Sequence, residues 1–163
     1  MALNRASDQG MARLIKAIET VADPQSKAVL SQRLGRRMIQ LIDNSIATST
    51  DCYGNPMEMR SDGAAPLQGL KGTFSATFTS DGPRIGCSKW YAAVHTRGWK
   101  IKPQTAPNLR FRLPSGQWVS TKTVVIPRRQ LAPSSRTGGL GPVWGPALNE
   151  VMATFMREYL RTR

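Results

Sequence analysis

Residues 85–98 read Ile-Gly-Cys-Ser-Lys-Trp-Tyr-Ala-Ala-Val-His-Thr-Arg-Gly, and the sequence changes character on either side of them. Aromatic, aliphatic and imidazole side chains recur there at the spacing of one side of a short helix (Trp90, Tyr91, Val94 and His95). Gly98 is expected to end this helix, because glycine readily adopts the conformations found at helix C-termini. Helical patterns precede the stretch and strand patterns follow it, which predicts an α+β protein.

Two helices are predicted before this stretch. Apolar residues recur at helical spacing between Asp8 and Val21, and Asp23-Pro24 then breaks the pattern and restarts it. The second helix, about Gln25–Ala47, carries one apolar stripe (Leu30, Leu34, Met38, Leu41, Ile42 and Ile46). Because a two-helix hairpin cannot bury both of its faces, we expect this stripe to cover a sheet or another subunit.

Alternating sequences predict antiparallel strands in the second half of the chain. Leu70–Thr79 and Arg84–Cys87 flank a turn and are expected to pair as a first hairpin. Residues 103–126 are expected to form a second hairpin that extends from the main sheet. Its strands are predicted at Leu109–Leu113 and at Trp118–Ile126.

Polar segments rich in glycine and proline separate these elements. They comprise a flexible tail (1–7), a long loop (48–69) with a tight turn at Tyr53–Pro56, a loop at Lys100–Asn108 and a mobile loop (133–146). The last helix is expected to begin at Gly145 or Pro146. We predict a single domain, 1–163, in which an N-terminal helical hairpin and a C-terminal helix pack on a small, mostly antiparallel sheet with an extra β-hairpin.

Positive charge is the unusual feature of the composition. The formal net charge is +13, and no acidic residue lies between Asp81 and Glu150, an interval that holds eleven lysines and arginines. Such a surface attracts polyanions or an acidic protein partner. The competing interpretation is a basic face that only keeps the protein soluble.

No arrangement of residues predicts catalysis. Cys87 and His95 are an imaginable nucleophile and base, but a structural histidine that bonds a backbone carbonyl is favoured. Because Cys52 belongs to no CxxC pair and the chain has one histidine, a metal site is not predicted, and two unpaired thiols are favoured over a disulfide. The glycines near residue 140 lack the Gly-Lys-Ser/Thr of a phosphate loop, so no cofactor is predicted.

The sequence also bears on location. It contains no run of about 18 apolar residues, so no membrane span or membrane partner is expected. The first residues lack the apolar core of a signal peptide, which favours the cytoplasm as the compartment of synthesis.

Aromatic residues are interleaved with basic ones, a pattern that can stack bases and hold phosphates of a nucleic acid. Lys89-Trp90-Tyr91 and Arg110-Phe111-Arg112 are the clearest cases. The chain has no helix-turn-helix, RNA-recognition or zinc-finger signature, so sequence-specific binding is disfavoured. Contact with phosphates through exposed charge remains open, and the possible DNA-facing residues are Arg110, Arg112, Lys122 and Arg128.

Three segments in order resemble a known family. They are Asp51-Cys-Tyr-Gly-Asn-Pro-Met57 after a long helix, then Trp90-Tyr-Ala-Ala-Val-His-Thr-Arg-Gly98, then Ile126-Pro-Arg-Arg129 before a C-terminal helix. Together they resemble the virion morphogenesis, or tail completion, family of tailed bacteriophages. Met57 stands where a tryptophan is often found in that family, and Gln130-Leu131 replaces its usual aromatic residue.

The resemblance implies a structural protein of the neck, where the phage head joins the tail. It implies a ring, expected to be a hexamer, that contacts adjacent neck and tail proteins and lets double-stranded DNA pass without reading it. The chain would be assembled in the bacterial host cytoplasm, reside in the virion and catalyse nothing. Tail terminator and head-side adaptor are alternatives within the same neck. The matching motif residues, expected to make structural or subunit contacts, are Tyr91, His95, Gly98, Pro127 and Arg129.

Overall fold

A computed structural model of the chain describes residues 23–60, 63–79, 82–113, 115–133 and 139–161. Within these residues the protein is α+β, as predicted, with three α-helices, six short strands and one 3-10 turn. The predicted tail and the predicted first helix lie outside the described residues, as does the middle of the loop predicted at 133–146.

Helix α1 spans Pro24–Thr48 and corresponds to the second predicted helix. The carboxylate of Asp23 accepts the backbone N–H of Ser26 at 2.9 Å, which caps the helix, and Pro24 takes the first position, where an N–H is not needed. The end of the apolar stripe is fully packed, because Leu41, Ile42 and Ile46 are buried. The earlier stripe residues Leu30, Leu34 and Met38 are half-buried.

Helix α2 (Ala92–Arg97) confirms the short helix predicted inside residues 85–98. It ends at Gly98, whose φ of 72° lies in the region that favours glycine. Ala92 is buried, whereas Trp90 just before the helix is 82% exposed.

Helix α3 spans Gly141–Arg161, so it begins four residues before Gly145, the earlier of its two predicted starts. The prediction was wrong because it treated Pro146 as a start signal. Pro142 already occupies an early position without cost, and the missing N–H of Pro146 removes only one helical bond in the next turn. The helix therefore continues through both prolines, and the preceding loop is shorter than predicted.

The strands form three two-stranded sheets instead of one sheet. Strands β1 (Phe74–Thr79) and β2 (Gly82–Cys87) form the first predicted hairpin. Strand β3 is Trp99–Ile101, and its last two residues lie in the segment Lys100–Asn108 that was predicted to be a loop. The others are β4 (Leu109–Arg112), β5 (Trp118–Thr121) and β6 (Val124–Ile126).

The second predicted hairpin is only partly correct. Strands β4 and β5 pair antiparallel, with Phe111 opposite Val119, but the return strand ends at Thr121 and does not reach Ile126. The hydroxyl of Thr121 donates to the Thr123 carbonyl at 3.0 Å and accepts the Thr123 N–H at 3.3 Å, which bends the chain. Strand β6 consequently pairs antiparallel with β3, with Lys100 opposite Val125.

The tight turn in the long loop lies two residues earlier than predicted. The N–H of Gly54 donates to the Asp51 carbonyl at 3.0 Å, so the turn covers Asp51–Gly54. The Asp51 carboxylate also accepts the N–H groups of Tyr53 and Asn55 at 2.9 and 2.8 Å. Aspartate closes the turn because its short side chain reaches its own backbone two residues on.

The chain divides into two compact units, and the single domain predicted from its length stays a prediction. The first unit includes residues 23–40, 75–86 and 145–161 among those described. Phe155 is fully buried in it and stacks at 4.3 Å from Tyr159, while the Arg33 guanidinium lies 5.8 Å above the Phe155 ring. Arg33 also forms an ion pair with Glu158. Because both partners are substantially exposed, this pair contributes little to stability.

The second unit includes the remaining described residues, from 41 to 74 and from 87 to 144. Its apolar core is drawn from α1, the long loop, the 3-10 turn at Gln68–Leu70, α2, the segment after β6 and the first turn of α3 (Ile42, Ile46, Cys52, Leu70, Ala92, Leu131 and Trp144 are all buried). The N–H of Cys52 donates to the Gln130 carbonyl at 2.8 Å, which ties the long loop to the segment after β6. The residues of the family-like motifs lie in this unit.

Gly35 gives a test of packing in the first unit. A Cβ at this buried position would lie 2.8 Å from Cε1 of Phe78 and 3.0 Å from Cβ of Ala76. We expect Gly35→Val to lower the free energy of unfolding by about 1–3 kcal/mol, as overpacking does, despite the gain in helix propensity. Urea denaturation measures the effect. Gln32→Val, at an exposed position of the same helix, should change stability by less than about 0.7 kcal/mol, and equal losses in both variants would contradict the packing.

Candidate functional site

The structure brings two of the three family-like motifs into direct contact. The backbone N–H of Arg129 donates to the carbonyl of His95, in the last turn of α2, at 2.8 Å. Gly98 lies against the same segment, because a Cβ there would be 3.2 Å from the backbone nitrogen of Arg128. Glycine is therefore required at position 98 both by its positive φ and by this close approach. Segments about thirty residues apart thus form one local structure, which we call the motif cluster: Tyr91, His95, Gly98, Pro127 and Arg129.

Arg129 is the buried centre of the motif cluster. Its side chain is only 8% exposed. Nη2 donates to the backbone carbonyl of Glu58 at 3.1 Å, and Nη1 lies 3.5 Å from Nδ1 of His95. Nε is buried without a hydrogen-bond partner. Across the described ranges, no carboxylate forms an ion pair with this guanidinium.

The surroundings of His95 keep its imidazole uncharged at neutral pH. Burial, and next the positive charge of Arg129, lower the pKa of His95 below its ordinary value. Since the guanidinium only donates, Nδ1 must accept, so the proton of the neutral ring is on Nε2. The imidazole thus bonds a side chain, where the sequence favoured a backbone carbonyl as its partner. The Tyr91 ring meets it edge-on, with centroids 6.3 Å apart, and the Tyr91 hydroxyl donates to the Gly69 carbonyl at 3.2 Å.

A cavity of about 320 Å³ opens beside the motif cluster. Two cationic side chains, Arg129 and Arg60, line it together with His95. The rest of its wall comes from the end of the long loop and the start of α2 (Pro66, Leu67, Gln68, Gly69 and Tyr91). The cavity is therefore positive at one wall and largely apolar at the other.

The four residues predicted to face DNA are all exposed. The register of β4 and β5 places Arg110 opposite Ser120 and Arg112 opposite Trp118. Because alternate residues share a face, both arginines lie on one side of this ribbon with Trp118, which is 70% exposed. We call this surface the arginine–tryptophan face.

Lys122 and Arg128 lie outside the arginine–tryptophan face as defined. Lys122 is in the bend between β5 and β6. Arg128 neighbours the motif cluster, where its Nη2 donates to the side-chain oxygen of Gln130 at 2.7 Å.

The geometry gives no support to a Cys87–His95 catalytic pair. The Cys87 sulfur lies 3.2 Å from the Thr73 hydroxyl and accepts the Lys89 N–H at 3.5 Å, whereas His95 bonds Arg129. Both cysteines are free thiols. Burial, and then the charge of Asp51, raise the pKa of Cys52 to about 11, so this thiol is a poor nucleophile.

The residues that the structure describes contain no group of three or more histidine, cysteine, aspartate or glutamate side chains arranged to hold a metal ion. None of the helices they form is long and apolar enough to cross a membrane.

Comparisons of the chain with protein-family models, with curated proteins and with solved structures gave no match. The likeness to the tail completion family therefore rests on the sequence motifs. The role of the motif residues as subunit contacts stays a prediction.

Sequence reasoning named Arg129 but missed its surroundings. The Glu58 carbonyl, Arg60 and residues 66–69 come from the long loop, which has no periodicity that could align it with α2. The sequence has no signal that separates Arg129 from Arg128, since both lie between Pro127 and Gln130, yet Arg128 is exposed and Arg129 is buried.

The lowered pKa of His95 predicts a pH effect on folding. The unfolded chain takes up the histidine proton near the ordinary pKa of 6.5, whereas the native state takes it up only at lower pH. The free energy of unfolding should therefore fall as the pH drops from 7.5 through 6.5. Chemical denaturation between pH 7.5 and 5.5 measures this slope. His95→Gln, which keeps an acceptor for Arg129 but does not titrate, should flatten it, and an unchanged slope would contradict the assignment.

Proposed function

We propose that this chain is a structural, non-catalytic subunit of the neck of a tailed bacteriophage, where copies of it form a ring that completes the tail and joins it to the head. The observation that carries the proposal is the contact between the family-like segments Trp90–Gly98 and Ile126–Arg129, through His95 and Arg129. Two segments that resemble those of the family in sequence are in contact in one local structure. Contact between the two segments is expected if the chain has the fold of that family. It is not expected if the short motifs occur together by chance.

Exposed apolar side chains support an assembling subunit. Trp90, Trp99 and Val125 are 82%, 55% and 67% exposed. Large apolar side chains on a free surface favour contact with another protein, because their transfer from water is favourable. A ring of identical subunits would need such contact surfaces on each copy.

Native mass spectrometry and electron microscopy test the assembly. We expect the purified chain, or the chain mixed with a lysate of phage particles that lack it, to form rings, with six copies as the expected number. Removal of the chain from an infected cell should leave heads and tails unjoined, and supplying it should restore whole particles. A chain that stays monomeric in both settings, and that leaves particle assembly unaffected when removed, would contradict the proposal.

The same micrographs separate the variants of this function. Density at the upper end of the tail, including tails that carry no head, indicates a completion protein or terminator. Density on heads that carry no tail indicates a head-side adaptor.

A second candidate function, non-specific nucleic-acid binding, is favoured by the arginine–tryptophan face. It combines two exposed guanidinium groups with an exposed indole, the side chains that hold phosphates and stack bases. The face is compatible with a neck protein, since DNA passes through the neck. As the sole function of the chain, it would require tight binding by the isolated protein.

Salt titration tests this face. Replacing both Arg110 and Arg112 by glutamine should weaken duplex DNA binding and reduce the slope of log K against log salt by about 1.8, because two phosphate contacts are lost. The double variant Arg157→Gln with Arg161→Gln, at exposed positions of α3, is the control and should have a smaller effect. Equal effects of the two double variants would assign the binding to net charge alone. Fluorescence anisotropy at about 50 mM salt gives the affinities.

A further inference from the structure

The guanidinium of Arg129 is a buried positive charge with no neutralising partner among the described residues. Its two hydrogen-bonding partners, the Glu58 carbonyl and Nδ1 of His95, are both uncharged. Neutral acceptors satisfy some of its donors but leave its charge in place, and Nε has no acceptor at all. An uncompensated buried charge is costly, so a group that neutralises it would be bound with a corresponding gain.

The cavity beside Arg129 has the chemistry of a site for such a group. Two of its polar side chains are already engaged, since the Tyr91 hydroxyl donates to the Gly69 carbonyl and Gln68 Nε2 donates to the Ile46 carbonyl. His95 still offers its Nε2 proton, because the hydrogen-bond contact of its ring within the described part of the chain is through Nδ1. A guest would therefore meet one imidazole donor and the Arg129 guanidinium.

We propose that this cavity binds a carboxylate of another molecule, held by the Arg129 guanidinium and by Nε2 of His95. A planar carboxylate matches a guanidinium edge and has two oxygens to satisfy. A phosphate dianion has more oxygen acceptors and more negative charge than these few donors can satisfy. The apolar wall formed by Pro66 and Leu67 can contact the apolar part of a larger carboxylate-bearing group. The carboxylate can come from a small organic acid or from an acidic side chain of a polypeptide. The inference does not depend on the role of the chain in a phage neck.

The single histidine of the chain makes the test specific, because its ring gives one set of NMR signals. The full chain is titrated at constant ionic strength with acetate, with a capped Gly-Glu-Gly peptide and with its Gly-Gln-Gly counterpart. Acetate and the glutamate peptide should shift the His95 signals saturably and raise the pKa of His95, and the glutamine peptide should do neither. Tighter binding of the glutamate peptide would identify an acidic side chain as the source, and equal or tighter binding of acetate a small acid.

Two results of this titration would overturn the proposal. One is the absence of a saturable shift with either carboxylate. The other is a larger shift with inorganic phosphate than with acetate at the same concentration, which would show that the cavity does not select a carboxylate.

Adjacent arginines supply a matched pair of variants. Arg129→Gln should abolish the saturable shift, whereas Arg128→Gln, which removes an exposed guanidinium one residue away, should retain it. Near-ultraviolet circular dichroism checks that each variant is folded. If Arg129→Gln does not fold, Arg129→Lys serves in its place and should weaken acetate binding at least ~10-fold, because an ammonium cannot present two parallel donors. Equal binding by the Arg128 and Arg129 variants would contradict the site.

Discussion

The motif cluster depends on one interaction, the hydrogen bond from the Arg129 guanidinium to the neutral imidazole of His95. Only a neutral His95 can accept from Nη1, and the positive charge of Arg129 itself helps to keep the ring neutral. The backbone contact between the same two residues fixes the distance, and Gly98 permits the approach of the segment. Replacement of either side chain would thus affect the end of α2, the long loop and the segment after β6 together.

The sequence was sufficient for elements whose signals are local. The start of α1 at Asp23-Pro24, the stripe of α1, the glycine that ends α2 and the first hairpin each depend on neighbouring residues, and the structure has all of them. Prediction failed where pairing with a distant strand or a side-chain hydrogen bond determines the secondary structure. Strand β3 exists because β6 pairs with it, and β6 is separate from β5 because Thr121 bonds Thr123. The start of α3 was misplaced because Pro146 was read as a start signal, although the helix continues through it.

The candidate site was predictable only in part, for the same reason. The order of the motifs led to the prediction that His95 and Arg129 make structural or subunit contacts. The interval without acidic residues indicated a positively charged surface. The burial of Arg129 and the wall of its cavity could not be foreseen, because they depend on a loop without regular structure. The charged residues consequently fall into two kinds. Exposed arginines such as Arg110 offer charge to a polyanion, whereas Arg129 is buried beside a cavity of limited size.

A double-mutant cycle between His95 and Arg129, each replaced by alanine and the pair replaced together, tests the central claim most directly. The account predicts a favourable coupling energy above about 0.5 kcal/mol at pH 8, where the imidazole accepts from the guanidinium. It also predicts that the coupling disappears or becomes unfavourable once the pH is low enough for the His95 NMR signals to show a protonated ring, because protonation turns the acceptor into a second cation. Additive effects at pH 8, or a favourable coupling that persists unchanged after the ring is protonated, would contradict it.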